Sequence, residues 1–134
     1  MIIEQAMCLA LNVYFETRSQ GLAEMIAVSE VVMNRVESPR YPDTICEVVK
    51  QGVHWKGHPV RNKCQFSWYC NGEPDIPTNK KAWAVSQDVA WGVLDGRMRG
   101  VVHDATHYHA YYVSPSWAKT RPLVAKVGAH LFYK

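Results

Sequence analysis

One glutamate stands where it could act as an acid. Glu16 lies in the segment VYFETR, at the end of an apolar helical stretch and beside Tyr14 and Phe15. Burial among such side chains disfavours a charged carboxylate, so the sequence predicts a raised pKa for Glu16. A carboxylic acid that stays neutral near pH 7 is the group that protonates a glycosidic oxygen. The alternative is that Glu16 pairs with Arg18 or Arg35 at the helix end.

Two histidines offer a different chemistry. His107 and His109 are two residues apart in ATHYHAYYV, so a strand would point both rings to one face. They could share a metal ion, with Asp104 as an oxygen ligand. Spacing fixes no third ligand and there is no HExxH signature, so we expect no metal and no cofactor. In the alternative, both rings hydrogen-bond to neighbours or to a ligand.

Aromatic and short polar side chains are mixed in the segments CQFSWYC, ATHYHAYYV and PSW. Rings that stack on sugars, beside groups that bond hydroxyls and acetamides, are typical of a saccharide groove. The candidate groove residues are Gln65, Phe66, Ser67, Trp68, Thr106, Tyr108, His109 and Tyr112. The alternative is an aromatic core with a few satisfied polar tips.

Several other classes of function lack support. There is no GxSxG elbow and no glycine-rich phosphate loop. Lys and Arg number 15 against 12 Asp and Glu, and they are scattered, so we expect no nucleic-acid partner. No stretch approaches ~18 apolar residues, and we expect no membrane insertion. The N-terminus does not resemble a secretory signal, so we expect synthesis in the cytoplasm.

The chain shows no repeat or linker, and we expect one catalytic domain over residues 1–134 and a monomer. Apolar periodicity predicts a helix over 3–17 and a nearly all-apolar, buried helix over 22–36. Thr44 and Glu47 have the capping-box spacing of a short third helix. Further on we expect a long surface loop over 51–80, a helix over 80–94 and a strand over 105–113. Helices followed by a strand indicate an α+β fold, mostly helical with a small antiparallel β element.

Four cysteines leave the redox state open. Cys8 lies in the apolar pattern of the first helix and is expected to be a buried thiol. Cys64 and Cys70 could close a small loop if oxidised, which spacing alone does not decide.

The blocks YFETRSQG, IAVSEVVMNRV, PDTICEVV, CQFSWYCNG, ATHYHAYYVSPSWA and VGAHLFYK occur in an order that resembles the SleB/CwlJ cell-wall hydrolase family. The resemblance runs from about residue 8 to the end. It implies a lysozyme-like or lytic-transglycosylase-like α+β fold that acts on the bond between N-acetylmuramic acid and N-acetylglucosamine in peptidoglycan. It also implies that Glu16 is the catalytic acid and then the base that closes a 1,6-anhydro ring.

The chain departs from the family pattern beside this glutamate. Its segment is E-T-R-S-Q, so Gln20 replaces the second family Glu, Ser19 replaces the usual Gly, and Glu24 stands where Gly is common. The two alternatives to a glycosidase are a metal-dependent peptidoglycan amidase or peptidase built on His107 and His109, and a saccharide-binding module without catalysis. A leaderless wall-lytic domain resembles a phage or prophage endolysin that reaches the wall after holin-type release.

Overall fold

The computed structural model describes residues 1–18 and 20–134, which contain four α-helices and five strands. The helices are α1 (Ile2–Thr17), α2 (Leu22–Val36), α3 (Ile45–Val49) and α4 (Lys80–Leu94). The strands are β1 (Gly52–Trp55), β2 (His58–Cys64), β3 (His107–Ala110), β4 (Leu123–Val127) and β5 (His130–Tyr133). Strands β1 and β2 form a hairpin, and β3, β5 and β4 form an antiparallel sheet with β5 in the middle. Ser19, which stands where the family usually has Gly, lies outside the described residues.

Helix α2 is the centre of the fold, as its apolar sequence predicts. Val28, Val31 and Val32 are fully buried, and this helix contacts α1, α3 and α4. Its other side packs on Phe132 of β5. The predicted bounds of α2 and α4 are confirmed, and α1 begins one residue earlier than predicted.

Polar side chains of α2 hold the segment that leads into β3. Both carboxylate oxygens of Glu30 accept backbone N–H groups, from Gly100 at 3.1 Å and from Val101 at 2.6 Å. The Nδ2 of Asn34 donates to the carbonyl oxygens of residues 103 and 105 at 2.7 and 2.8 Å. These bonds satisfy the buried carboxylate of Glu30 and hold the backbone of residues 100–105, just before β3, against α2.

The prediction of a long surface loop over 51–80 is wrong about its secondary structure, because this region contains β1, β2 and the 3₁₀ turn Ser67–Cys70. Lys56 and Gly57 both have positive φ, at 51° and 81°, as the tight turn of a hairpin requires. All four residues of β1 are exposed, so neither face carries the alternation that marks a strand. The strand predicted over 105–113 is shorter, since the chain turns after Ala110.

The expectation of a free thiol at Cys8 is also wrong. Cys8 is bonded to Cys46, and Cys64 is bonded to Cys70. Helix α3 packs across α1 and brings the first pair of Cα atoms to 5.2 Å, a contact that 38 residues of sequence separation conceal. The cap of α3 is as predicted, with the Glu47 N–H donating to Thr44 Oγ1 at 3.2 Å.

Candidate active site

Glu16 lies in the last turn of α1 and is held by a residue 92 positions away. The hydroxyl of Tyr108, on β3, donates a short hydrogen bond to Glu16 Oε1. Burial raises the pKa of Glu16, and this effect outweighs the Tyr108 bond and the charges of His130 and Arg35, which lower it. The carbonyl end of a helix also disfavours a carboxylate. Glu16 is therefore suited to remain a neutral acid above the usual pH range of glutamate.

A cavity of about 210 Å³ opens beside this acid. It is lined by Glu16, Arg35, Gln65, Phe66, His107, Tyr108 and Trp117. Four separate parts of the chain form it: the end of α1, the end of α2, the segment after β2, and the edge strand β3 with the turn that follows it. The cavity therefore exists only when the helices, hairpin and sheet are assembled.

Arg35 forms the cationic wall of the cavity. Its Nε donates to the carbonyl oxygen of Thr106 at 2.8 Å, and its Nη1 lies 3.4 Å from Gln65 Oε1. The guanidinium lies over the rings of Tyr41 and Phe66, 5.0 and 5.4 Å from their centroids. Arg35 is only 5% exposed, so these contacts fix its orientation.

The alternative of an ion pair for Glu16 does not occur within the described part of the chain. Neither Arg18 nor Arg35 has a nitrogen within 4.0 Å of its carboxylate there. Arg18 instead lies over the rings of Tyr14 and Phe15, at 5.8 and 5.1 Å. Glu16 keeps a hydrogen-bond donor beside it and no neutralising partner.

The histidines of β3 share one face, as predicted, and both lie against Trp117 at 5.1 and 5.7 Å between ring centroids. His107 Nδ1 bonds Thr106 Oγ1 at 2.9 Å. His109 uses both nitrogens, Nδ1 with the Ala110 carbonyl at 2.7 Å and Nε2 with the Tyr133 hydroxyl at 2.8 Å. In residues 1–18 and 20–134 no three potential ligands come together. These bonds leave the histidines poorly arranged for a metal-dependent amidase.

A buried pair supports Tyr108 from behind. His130 Nδ1 lies 2.8 Å from Glu24 Oε2, with side-chain exposures of 11% and 10%. The His130 ring is edge-on to that of Tyr108, 5.6 Å between centroids. Gly128 has a φ of +56° and sits so close to Glu24 that a Cβ there would collide with the carboxylate. Glu24, which stands where the family commonly has Gly, thus contacts the histidine that packs on Tyr108.

The predicted site residues do not all meet at the cavity. Gln65, Phe66 and Tyr108 line it together with Glu16. Thr106 and His109 adjoin it through the bonds to Arg35 and contacts with Trp117 described above. Ser67 is exposed at the start of the 3₁₀ turn, outside the lining.

Two of the groove candidates lie elsewhere. Trp68 is 7% exposed, stacks on Phe15 at 5.1 Å and donates from Nε1 to Asn12 Oδ1 at 2.8 Å, so it is a core residue. Tyr112 is 76% exposed, because β3 ends at Ala110 and no longer directs later side chains. Sequence alternation had placed Tyr112 on the same strand face as Tyr108.

The sequence analysis missed Arg35 as a wall of the cavity and His130 as a support for Tyr108. A charged residue within the otherwise apolar helix IAVSEVVMNRV was the available signal for Arg35. A larger cavity, about 500 Å³, lies between α3 and the hairpin, but its one acid, Glu47, is exposed and bonded to Thr44. Of these two cavities, the smaller is the one lined by an acid whose pKa is raised by burial, Glu16.

Comparison with known proteins places the chain in a family. The family model described as Cell Wall Hydrolase matches residues 19–133, and the chain belongs to this family. The match starts three residues after Glu16. The spore cortex-lytic enzyme of Bacillus cereus is 27% identical over 127 residues, which cover 91% of this chain and 41% of that enzyme. The enzyme of the same description from Bacillus subtilis is 22% identical over 129 residues, 92% of this chain and 35% of its own length.

Two solved structures have the same fold. The catalytic domain of the germination-specific lytic transglycosylase SleB from Bacillus anthracis superposes with a TM-score of 0.70 at 24% identity, covering 97% of this chain and 93% of that one. The catalytic domain of the Bacillus cereus SleB protein gives 0.69 at 24% identity, with 98% and 91% covered. These two structures confirm the predicted α+β fold. The family match over residues 19–133, with the spore cortex-lytic relatives, confirms the resemblance to the SleB/CwlJ family. The chain spans about two fifths of the length of the curated relatives it matches.

Proposed function

We propose that this chain cleaves the glycan strand of peptidoglycan between N-acetylmuramic acid and N-acetylglucosamine, as a lytic transglycosylase. The observation that carries the proposal is a single carboxyl group with a raised pKa, Glu16, held by Tyr108 at the wall of an open cavity. Membership of the cell wall hydrolase family supports the choice of substrate. The SleB catalytic domain of the same fold is described as a lytic transglycosylase, which supports the choice of reaction.

The reaction needs one acid that later acts as a base. Tyr108 occupies Oε1 of Glu16, so Oε2 carries the proton that passes to the bridging oxygen. The bond from that oxygen to C1 of the muramic acid breaks and the N-acetylglucosamine end leaves as an alcohol. The C6 hydroxyl of the same muramic acid then bonds to C1 and gives its proton to Glu16. The products are a 1,6-anhydro end and a regenerated acid, with no water consumed.

The other carboxylates lie outside the cavity, which favours the transglycosylase route over hydrolysis. Glycosidases that use water usually act with two carboxyl groups facing the same bond. Among the described residues that line the cavity, Glu16 is the only acid. Glu24 is bonded to His130, Glu30 holds the backbone at residues 100–101, and Asp104 lies 3.6 Å from Lys134 at the surface. Within residues 1–18 and 20–134, no second carboxylate lines the cavity to activate a water molecule.

The other cavity walls suit a sugar. Gln65 offers an amide for hydroxyl or acetamide groups, and Trp117 offers a ring face beside His107. Arg35 lies close enough to the acid for its charge to lower the pKa of Glu16. It can therefore stabilise the carboxylate that forms after proton transfer.

Mass spectrometry of muropeptides released from purified sacculi tests the proposal. We expect the wild-type protein to release 1,6-anhydro-muropeptides and Glu16→Gln to lose ~10³-fold or more of that activity, since the amide keeps the shape but carries no acid. Glu37→Gln, at an exposed carboxylate just after α2 that lies 3.8 Å from Arg99 and does not line the cavity, is the matched control and should stay active.

Each of three other results of this experiment would contradict a different part of the proposed function. Reducing ends that depend on Glu16 would replace the transglycosylase by a hydrolase. Products that persist in Glu16→Gln and vanish with EDTA would move the chemistry to His107 and His109. Binding to sacculi without any release would make the chain a saccharide-binding module.

We further propose that the chain works at the cell wall, as an endolysin released by a holin-type route. Two disulfides support an oxidising place of action, because thiols in the cytoplasm are kept reduced. Within the described residues no helix is long and apolar enough to cross a membrane. Expression in a bacterial host with and without a holin gene tests this route. Lysis that requires the holin supports it, and lysis without the holin contradicts it.

A further inference from the structure

A second cavity adjoins the one that contains Glu16. It has a volume of about 300 Å³ and is lined by Ser38, Arg40, Tyr41, Asp104, Thr106, His107, Arg121 and Lys134. His107 lines both cavities. Tyr41 lies under the guanidinium of Arg35, the cationic wall of the first cavity. A ligand bound beside Glu16 can therefore extend past His107 into this second space, named here the side cavity.

The side cavity has more positive than negative charge. Three of its residues, Arg40, Arg121 and Lys134, are cationic, and Asp104 is its one acid. Asp104 Oδ2 lies 3.6 Å from Lys134 Nζ, so these two charges offset each other and the charges of Arg40 and Arg121 remain. Among the described residues no Asp or Glu side-chain oxygen lies within 4.0 Å of either guanidinium. Arg121 Nη1 donates to the main-chain oxygen of Lys134 at 3.3 Å, which orients the guanidinium at the cavity.

The junction between the two cavities is also positive. Burial and the charges of Arg121 and Arg35 together lower the pKa of His107 to about 4. At neutral pH the ring is therefore uncharged. Arg35 lines the first cavity with His107 and Arg121 lines the side cavity with it, so an anion near His107 would meet a positive electrostatic field, and Arg binds carboxylates with paired donors.

We propose that the side cavity binds the carboxylate-bearing substituent of the muramic acid next to the scissile bond. This inference rests on the proposed function. The two alternating sugars of the strand differ by the lactyl ether on C3 of muramic acid, which ends in a carboxylate or continues into an acidic peptide. The side cavity has room for roughly ten water molecules, enough for the lactyl group and the start of a peptide.

Such a site has a consequence for the reaction. Because it recognises the group that only muramic acid carries, it fixes which of the two alternating bonds meets Glu16. It also makes walls with neutralised or missing acidic substituents poor substrates. The ligand is thus an anionic muramyl group, and the neutral sugars are held by the first cavity.

Binding to walls of defined charge tests the side cavity without relying on turnover. The substrate is sacculi freed of phosphate polymers, either native or with carboxylates converted to neutral amides by carbodiimide and ethanolamine. The protein carries Glu16→Gln so that nothing is cleaved. We compare it with the same protein carrying Arg40→Gln and Arg121→Gln. Arg97→Gln, an exposed arginine paired with Asp95 away from both cavities, is the control for charge.

We expect the Arg40→Gln, Arg121→Gln protein to bind native sacculi about tenfold or more weakly than its parent, as loss of charged hydrogen bonds predicts. On neutralised sacculi the two should bind equally, and Arg97→Gln should behave as the parent on both. Equal binding of parent and double variant to native sacculi would overturn the proposal. So would an equal loss on both kinds of sacculi.

Two more measurements distinguish the lactyl carboxylate from the peptide carboxylates, and the side-cavity proposal from the proposed reaction. Sacculi digested with an amidase keep only the lactyl carboxylate, so an arginine effect that survives digestion assigns the site to that group, and one that disappears assigns it to the peptide. Release of anhydro-muropeptides by the active protein is scored separately. Release without an arginine effect on binding would refute the side cavity alone, and an arginine effect without release would refute the proposed reaction alone.

Discussion

The carboxyl group of Glu16 is more easily neutral in the folded chain than in the unfolded one. Burial raises its folded pKa above 4.5, so its contribution favours the folded state at low pH. That contribution is lost as the pH rises through the folded pKa, because a charge must then be kept in a poorly solvated place. The site is therefore arranged for proton donation at a cost in stability at neutral pH.

Replacing this acid should stabilise the protein. We expect Glu16→Gln to raise the melting temperature at pH 7 to 8, because the amide needs no charge in the buried position. The difference should disappear near pH 4, where the wild-type carboxyl is neutral as well. Thermal unfolding of both proteins across this range measures it. A lower melting temperature for the variant at pH 8 would contradict the assigned burial effect.

The phenol of Tyr108 should set the upper pH limit of activity. Its hydrogen bond stabilises the carboxylate of Glu16, so Tyr108→Phe is expected to raise the pKa of Glu16 further. The alkaline limb of the kcat/KM profile should move to higher pH, with about a tenfold lower maximum from the lost bond. Tyr111→Phe, on an exposed ring beyond β3, is the control. An unchanged limb would show that the bond does not tune the acid.

The residues that could be found by sequence were those with a local reason for their role. Glu16 was predicted because its apolar neighbours adjoin it in the chain. Trp68 was assigned to the groove because an aromatic segment does not show which rings point inward. Arg35 is held at the cavity by contacts with Phe66, which follows β2, and with the carbonyl oxygen of Thr106, which precedes β3. That arrangement is tertiary and leaves no local pattern.

The elements that position the site differ in how they are fixed. The long helices α1, α2 and α4 were predicted closely because their apolar residues recur at helical spacing. The hairpin was not predicted because its strands are mostly exposed. Strands β4 and β5 were not predicted either, and they are only five and four residues long. Short strands are defined by their partners, which sequence alone does not name.

The turn between β4 and β5 depends on the small size of Gly128. We expect Gly128→Ala to lower the free energy of unfolding by about 1–3 kcal/mol, because the new methyl group would push Glu24 off His130. In a Glu24→Ala background the same change should cost less, since the obstructing carboxylate is gone. Denaturant unfolding of all four proteins gives this coupling. An equal cost in both backgrounds would assign the loss to backbone strain at φ +56° instead.

The two disulfides differ in how far apart in the sequence the residues are that they join. Cys8–Cys46 ties α1 to α3 across 38 residues, and Cys64–Cys70 closes a six-residue separation beside the cavity. Since longer loops lose more chain entropy when closed, the first bond should contribute more to stability. Neither pairing followed from spacing, because each depends on how separate elements pack.

Serine variants test that order. We expect Cys8→Ser with Cys46→Ser to lower the free energy of unfolding by about 4 kcal/mol, and Cys64→Ser with Cys70→Ser by about 2 kcal/mol. The second pair lies next to Gln65 and Phe66, so it should raise KM for sacculi more than its small stability cost suggests. Urea unfolding and muropeptide release measure the two effects. A larger stability loss from the second pair would refute the entropic account.

The order of strands in the three-stranded sheet has a consequence for biosynthesis. Strand β5 lies between β3 and β4 and is made after both, so neither has its neighbour until residues 130–133 have left the ribosome. Glu16, on α1, is synthesised long before Tyr108, the residue on β3 that donates a hydrogen bond to it. A chain that ends before β5 therefore lacks the strand that holds β3, and with it Tyr108, in the sheet, and the proposed activity is expected only after residues 130–133 have been synthesised.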